Sequence, residues 1–207
     1  MTEDQPHETE PATGEKYSDV RVTTDSKAMR ALAHPVRLAL LEAIHTEGEI
    51  TATQAAEMLD ESPGNMSWHL QTLAKYGFIE EAGGGKGRKR PWKIASVSHR
   101  FSTTEDDPGS HAAGQALEMT VFERSGHLLR EWWSVEQSFS PEWREAAFMT
   151  DSISYLTAKE LAELSEQIND LVGKYNERVD KKKRPEGALP VHLNTHGHPL
   201  PPRPADS

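Results

Sequence analysis

The chain has 207 residues, room for one large domain or two small ones, and its thirteen Pro, fourteen Gly and strongly negative mean hydropathy point to disordered ends around a folded middle. It has no cysteine, which excludes disulfides, thiolate metal sites and cysteine nucleophiles, and no apolar run approaches the length of a membrane span. The net charge of −10 excludes a surface that is basic throughout, so any face turned to a polyanion has to be local.

Residues 1–22 carry almost no apolar side chains, and six acids against one base fall within 1–20. Without the basic and apolar zones of a secretion signal, this stretch reads as a disordered acidic tail on a cytoplasmic protein. Ser26 is placed to cap a first helix over 27–33, which His34 ends before Pro35. Pro35 opens a second helix, in which Val36, Leu40 and Ile44 recur at i, i+4 and i+8 with Leu41 alongside, and Gly48 stops it. Thr51 and Gln54 form a capping-box pattern, and Ala55, Met58 and Leu59 give a short third helix its core face.

Asp60 and Glu61 make a two-residue turn before Ser62 and Pro63, an N-cap followed by proline at the first helical position. The fourth helix then runs to about Tyr76, with Gly77 as its stop. Met66, Leu70, Leu73 and Ala74 mark its buried side. Gly64, Trp68, Gln71, Thr72 and Lys75 point away from that side, and Asn65 lies at its edge. Two strand-like runs, 78–82 and 91–95, are joined by GGGKGRKR, a hairpin with a glycine-rich basic tip. Residues 62–101 hold seven bases (Lys75, Lys86, Arg88, Lys89, Arg90, Lys93, Arg100) against Glu80 and Glu81, a local +5, whereas 102–207 hold eighteen acids against eleven bases. In order and spacing, 26–95 has the outline of a winged helix-turn-helix.

Residues 101–110 read as a linker and 111–135 as a long helix. Leu117, Val121, Leu128 and Trp132 lie on one line of that helix, with Phe122, Leu129 and Trp133 on the next, and the first line is the expected dimerisation face. The run 146–156 alternates loosely enough for a strand. Thr157 and Glu160 make a second capping box, followed by the heptad seam Leu161, Leu164, Ile168, Leu171 and Tyr175. The basic run 181–184 suits the negative end of that helix, and Pro185 closes it. A last strand over 189–195 would complete a strand-helix-strand unit with a right-handed crossover. The fold class is therefore mainly α with small β (α+β). Its expected domains are the acidic tail 1–22, a winged helix-turn-helix over 23–100, the linker 101–110, a helical dimerisation and candidate effector domain over 111–197, and a disordered proline-rich tail over 198–207.

The stretch LAHPVRLALLEAIHTEGEITATQAAEMLDESPGNMSWHLQTLAKYGFIEE resembles the ArsR-type winged helix-turn-helix regulators. The likeness is carried by Leu32-Ala33-His34-Pro35-Val36-Arg37 and by Ser67-Trp68-His69-Leu70 with Leu73, Gly77 and Ile79. The segment PEWREAAFMTDSISYLTAKELAELSEQI is similar to the C-terminal part of ArsR-like regulators of actinomycetes. The resemblance implies a homodimer whose two fourth helices enter successive major grooves of double-stranded DNA. Metal sensing does not carry over, because the third-helix cysteines are absent and His111 and His127 are too far apart for the family's pairings.

The residues then acquire expected roles. Lys86, Arg88, Lys89, Arg90 and Lys93 on the wing, with Lys75, would hold phosphates. Pro63, Gly64, Asn65, Ser67 and Trp68 would read bases, with Gln71 deeper and Thr72 on the same face. Asn65 and Gln71 carry the donor and acceptor pair that adenine offers in the major groove. For Trp68 the alternative is packing on the hairpin or a neighbouring subunit. His69 reads as a core histidine. The aromatic group Phe122, Trp132, Trp133, Phe139, Trp143, Phe148 and Tyr155 is either plain core or the lining of a pocket for a small organic effector. His192, His196 and His198 lack acidic or sulfur partners, so no metal site is assigned. No cofactor is expected, and no Walker loop, G-x-S-x-G elbow or H-E-x-x-H motif supports an enzyme. The function expected is that of a DNA-binding transcription regulator, a repressor acting as a homodimer on a palindromic operator. The alternative is a protein-interaction module that keeps the winged-helix fold without using DNA.

Overall fold

In the computed structural model the backbone is described for residues 20–23, 25–95, 98–101 and 109–201, and side chains for all of these except 20–23, 88 and 98–101. The acidic stretch 1–19, residues 102–108 of the linker and the last residues 202–207 lie outside the described residues.

The first helix, α1 (Ser26–Leu32), is capped one residue earlier than expected, by Asp25, whose carboxylate accepts from the Lys27 N–H at 2.8 Å. Ser26 is instead buried as the first helical residue and accepts from Arg30 at 3.0 Å. A carboxylate satisfies the orphan N–H and favours the positive helix end at once, so it displaces the neighbouring hydroxyl from the cap. His34, expected only as a helix stop, caps α2 (Pro35–Glu47): its Nδ1 accepts from the Val36 N–H at 3.2 Å. Gly48 ends α2 with φ 77°.

A strand that the sequence did not announce follows, β2 (Glu49–Thr51), before α3 (Ala52–Leu59) starts in the Thr51–Gln54 capping box. Three residues with one apolar side chain, Ile50, carry no period-two signal, and pairing alone makes them a strand. On α3 the buried side chains are Ala52, Ala55 and Ala56. Met58, expected in the core, is exposed. Asp60 turns the chain in the left-handed region, φ 51°, and Ser62 caps α4 (Pro63–Lys75), accepting from the Asn65 N–H at 3.1 Å.

The hairpin strands β3 (Ile79–Glu81) and β4 (Pro91–Ile94) pair antiparallel, and β2 joins on the other side, giving the order β2-β4-β3 with Ile50 opposite Trp92 and Ile79 opposite Ile94. Met66, Leu70 and Leu73 of α4 share one core with Leu40 and Ile44 of α2, Ile50, Phe78, Ile79 and Trp92. This is a winged helix-turn-helix. A second small sheet was not expected: β1 (Val20–Thr23) lies parallel to β5 (Ser98–Phe101), so the end of the expected tail and the start of the expected linker are strands.

The long helix α5 (Ser110–Val135) packs its first turns on α1 and α2. Ala113 and Leu117 are buried there, and Val121 lies half-buried against the same core. Arg124 then forks onto the Glu42 carboxylate of α2 with contacts of 2.6–3.1 Å, which raises the pKa of the guanidinium. A short helix α6 (Pro141–Ala146) and the amphipathic α7 (Ala158–Gly173) follow, α7 opening in the Thr157–Glu160 capping box. Neither flanking strand of the expected strand-helix-strand unit forms. Residues 147–157 and 184–201 have no sheet partner among the described residues, and no crossover forms there. Alternation specifies a side-chain period but supplies no neighbour. α7 also stops at Gly173, well short of Pro185, and two single turns, Asn176–Val179 and Lys181–Lys183, carry the basic run. No helix among the described residues is long and apolar enough to cross a membrane.

Candidate nucleic-acid interface

The outer face of α4 is fixed by what its inner face buries. With Met66, Leu70 and Leu73 fully covered, the helical period turns Gly64, Trp68, Gln71 and Lys75 outward to exposed positions, with Pro63, Asn65, Ser67 and Thr72 half-buried beside them. All eight expected residues of this helix thus share one accessible face. They are not equally free. The Asn65 amide donates to Glu61 at 3.0 Å, and the Thr72 hydroxyl donates back to the Trp68 carbonyl at 2.9 Å. Lys75 extends its ammonium over the Tyr76 ring, 5.5 Å from the centroid.

Trp68 is 58% exposed, yet its ring is supported from below. The Arg37 guanidinium of α2 lies 5.8 Å from its centroid, and His69 meets it edge-on at 4.8 Å. His69 in turn packs on the capping His34 ring at 4.8 Å. Burial holds the pKa of His69 below the ordinary histidine value, with the charges of His34 and Arg37 adding to the effect and Glu61 opposing it. Burial and then Arg37 lower His34 likewise. Both imidazoles are therefore neutral at neutral pH, as His34 must be to accept from Val36. His69 is the core histidine expected. Arg37 is the member of this group that periodicity missed. It lies on the second helix beside apolar residues, and only tertiary packing brings it under Trp68.

The wing is less basic in space than in sequence. Arg90 pairs with Glu81 and leans on the Trp92 ring, and Lys93 pairs with Glu80 at 3.1 Å across the β3–β4 ladder. Lys86 and Lys89 are exposed at the tip with no ion-pair partner among the described residues, and the Arg88 side chain lies outside them. Gly85 holds the tip: φ is 65°, and a Cβ there would lie 2.2 Å from the Lys89 carbonyl oxygen.

The remaining expected sites are scattered. Leu117 is 2% exposed within the chain's own core, whereas Leu128 and Trp132 are half-buried. The exposed apolar line on α5 is instead Met119, Phe122, Leu129 and Trp133. Of the aromatic group, Trp132 and Phe139 pack at 5.0 Å, but Phe148 and Tyr155 stand in solvent, so one chain does not enclose the expected effector pocket. A shallow cleft beside α6 is lined by Glu136, Gln137, Pro141, Arg144 and Glu145, without an aromatic. No group of three His, Asp or Glu side chains suited to a metal occurs among the described residues.

Residues 32–82, from the end of α1 to the wing, match a family model described as a helix-turn-helix domain. No curated protein matches the chain. Among solved structures, it is similar to a MarR family regulator from Neisseria meningitidis, with 19% identity over 72% of this chain and 80% of that one and a TM-score of 0.29. It is also similar to Lactococcus lactis ZitR in complex with DNA, with 19% identity over 77% and 84% and a TM-score of 0.25.

Proposed function

We propose that this helix-turn-helix chain is a sequence-specific DNA-binding transcription regulator of the ArsR type, a repressor working as a homodimer on a palindromic operator. One observation carries the reading: α4 seats Met66, Leu70 and Leu73 wholly in the core and offers solvent a row of small and polar groups around a supported Trp68, on the same domain as the exposed tip lysines Lys86 and Lys89. Helix N-terminal residues enter the major groove, and the wing follows the phosphates. Asn65 would leave Glu61 to meet a base; Gln71 is free to do so at once. Lys86 and Lys89 are the phosphate contacts of first rank. Arg90 and Lys93 contribute less while Glu81 and Glu80 hold them.

Those same ion pairs favour the second reading, a protein-interaction module, because they neutralise two of the wing's cations. Duplex binding separates the two. Selection of bound duplexes from a random pool should yield a palindrome with half-sites about one helical turn apart. Gln71→Ala should cost about 1–3 kcal/mol on that sequence and much less on random DNA. No enrichment at low salt would favour the interaction module.

The dimer face is proposed on α5, along Leu128 and Trp132 and the exposed line Phe122, Leu129 and Trp133, with Leu117 removed from the set. An organic effector remains part of the proposal only where a second copy helps to enclose the aromatics.

A further inference from the structure

The chain exposes 16048 Å². A folded chain of its mass exposes about 9,700 Å². Granting every residue outside the described ones the full surface of an unfolded chain raises that figure to about 14,100 Å². On the order of 2,000 Å² of the described part is thus surface that a chain folded on itself would have covered. Twice that, in a symmetric pair, falls within the range of about 2,000–5,000 Å² typical of obligate homodimers.

Two runs outside helix and sheet contribute to this surface. From Phe148 to Leu156 no backbone group is hydrogen-bonded within the chain among the described residues, and Phe148, Ile153 and Tyr155 are 78%, 77% and 102% exposed. The run 189–195 is equally unpaired, with Val191 61% exposed, but it is held in place. His192 Nε2 and Asn194 Nδ2 lie 3.1 and 2.9 Å from Ser125 Oγ on α5, so by strand alternation Val191 and Leu193 face away from that helix. Just upstream, Arg184 donates to the carbonyls of His45 and Thr46 at the end of α2. The second run is thus an anchored stretch of unpaired backbone with an apolar outer side, and the first is an unattached arm of complementary character. An exposed apolar edge pairs with another strand unless something blunts it, and α7 separates the two runs within one chain. A second copy supplies an identical anchored stretch, next to the exposed α5 line that already proposes itself as the dimer face: Phe122 and Leu129 flank Ser125 by three and four positions.

We propose that the 147–156 arm of each copy adds as a strand to the 189–195 run of the second copy, so that two exchanged arms close the dimer. This rests on the homodimer reading above. Because Arg184 ties each run to α2, docked arms also fix the spacing of the two reading heads.

The absence of native cysteine makes the test direct. A tagged full-length chain carrying Ile153→Cys is co-expressed with an untagged one carrying Val191→Cys, and the mixture is treated with oxidant or with a short bis-maleimide that tolerates a one-residue error in register. The expected product is a covalent tagged–untagged dimer. Light scattering on the unmodified protein runs in parallel. A dimer that yields no such cross-link overturns the arm exchange and leaves the homodimer standing; a monomer at micromolar concentration removes both. Cross-linking of Ile153→Cys chains only to each other would place arm against arm and overturn the pairing proposed.

Discussion

Trp68 occupies a position that the helical period assigns to solvent, and the Arg37 guanidinium and His69 ring beneath it hold its large apolar surface in one orientation. A side chain so placed costs little to remove from the free protein. Trp68→Ala is expected to change folding stability by no more than about 0.5 kcal/mol, while weakening binding to the selected duplex at least tenfold, about 1.4 kcal/mol; thermal melts beside binding isotherms read the two effects separately. The imidazole pair predicts a pH response. Both histidines have pKa values lowered from 6.5 in the folded state, so the unfolded chain binds more protons below that pH. The stability they allow is complete above pH 6.5 and is lost as pH falls from 6.5 towards the folded values. His69→Gln should flatten the slope of urea midpoint against pH between about 6.5 and 5, above the range where most carboxylates titrate; an unchanged slope would place the proton uptake elsewhere.

Among the elements, the wing shows how charge in sequence and charge in space diverge. The ladder sets Glu80 opposite Lys93, and Glu81 pairs with Arg90 just before β4, so each acid holds a cation that the sequence offers to DNA. Lys86→Ala with Lys89→Ala removes four phosphate contacts from a homodimer and should therefore lower the slope of log affinity against log salt by about 4, whereas Lys93→Ala should lower it by less than about 2. Gly85→Ala forces a left-handed residue into contact with the Lys89 carbonyl. It should disorder the hairpin tip at a cost of about 1–3 kcal/mol locally, seen as faster amide exchange at 83–90 with the helical core unchanged. The other informative element is the turn after α7. Arg184 donates to four backbone carbonyls, of His45, Thr46, Arg178 and Val179, and Lys181 pairs with Glu47, so the C-terminal segment is tied to the end of α2 where the helix dipole is negative. Arg184→Ala should release this tie and make 184–201 sensitive to protease while the winged domain keeps its melting point; resistance equal to the unmodified chain would show that the tie contributes nothing.

At the scale of the molecule, α5 divides its length between two tasks. Its first turns complete the core of the winged domain through Ala113 and Leu117, and the Arg124–Glu42 fork fixes the angle at which the rest departs. Beyond Arg124, Leu129 and Trp133 point into solvent. Leu129→Glu with Trp133→Glu should give a monomer by light scattering, with a folded winged domain and operator affinity reduced to that of a single head. A dimer surviving both changes would move the interface off this helix.

The winged domain was legible in the sequence because its signals are local: the Thr51–Gln54 capping box, Ser62-Pro63, Gly48 and Gly77, and the buried period of α4 each depend on a few neighbouring residues. The outward row of α4 followed from the same period, so its members were brought to one face as expected. Where a feature depended on a distant partner, the sequence was silent or misleading. Ile50 became a strand only beside Trp92, the 20–23 stretch became one only beside 98–101, and Arg37 entered the interface only because α2 packs under α4. Leu117 and Leu129 look alike on a helical stripe, yet the core takes the first and leaves the second exposed. The strand-helix-strand expectation failed for the same reason, since 147–156 and 189–195 alternate like strands but have no strand neighbour among the described residues. Sequence determined which side chains share a face and where helices begin; only the tertiary structure decided what each face meets, because burial and pairing are properties of two surfaces together.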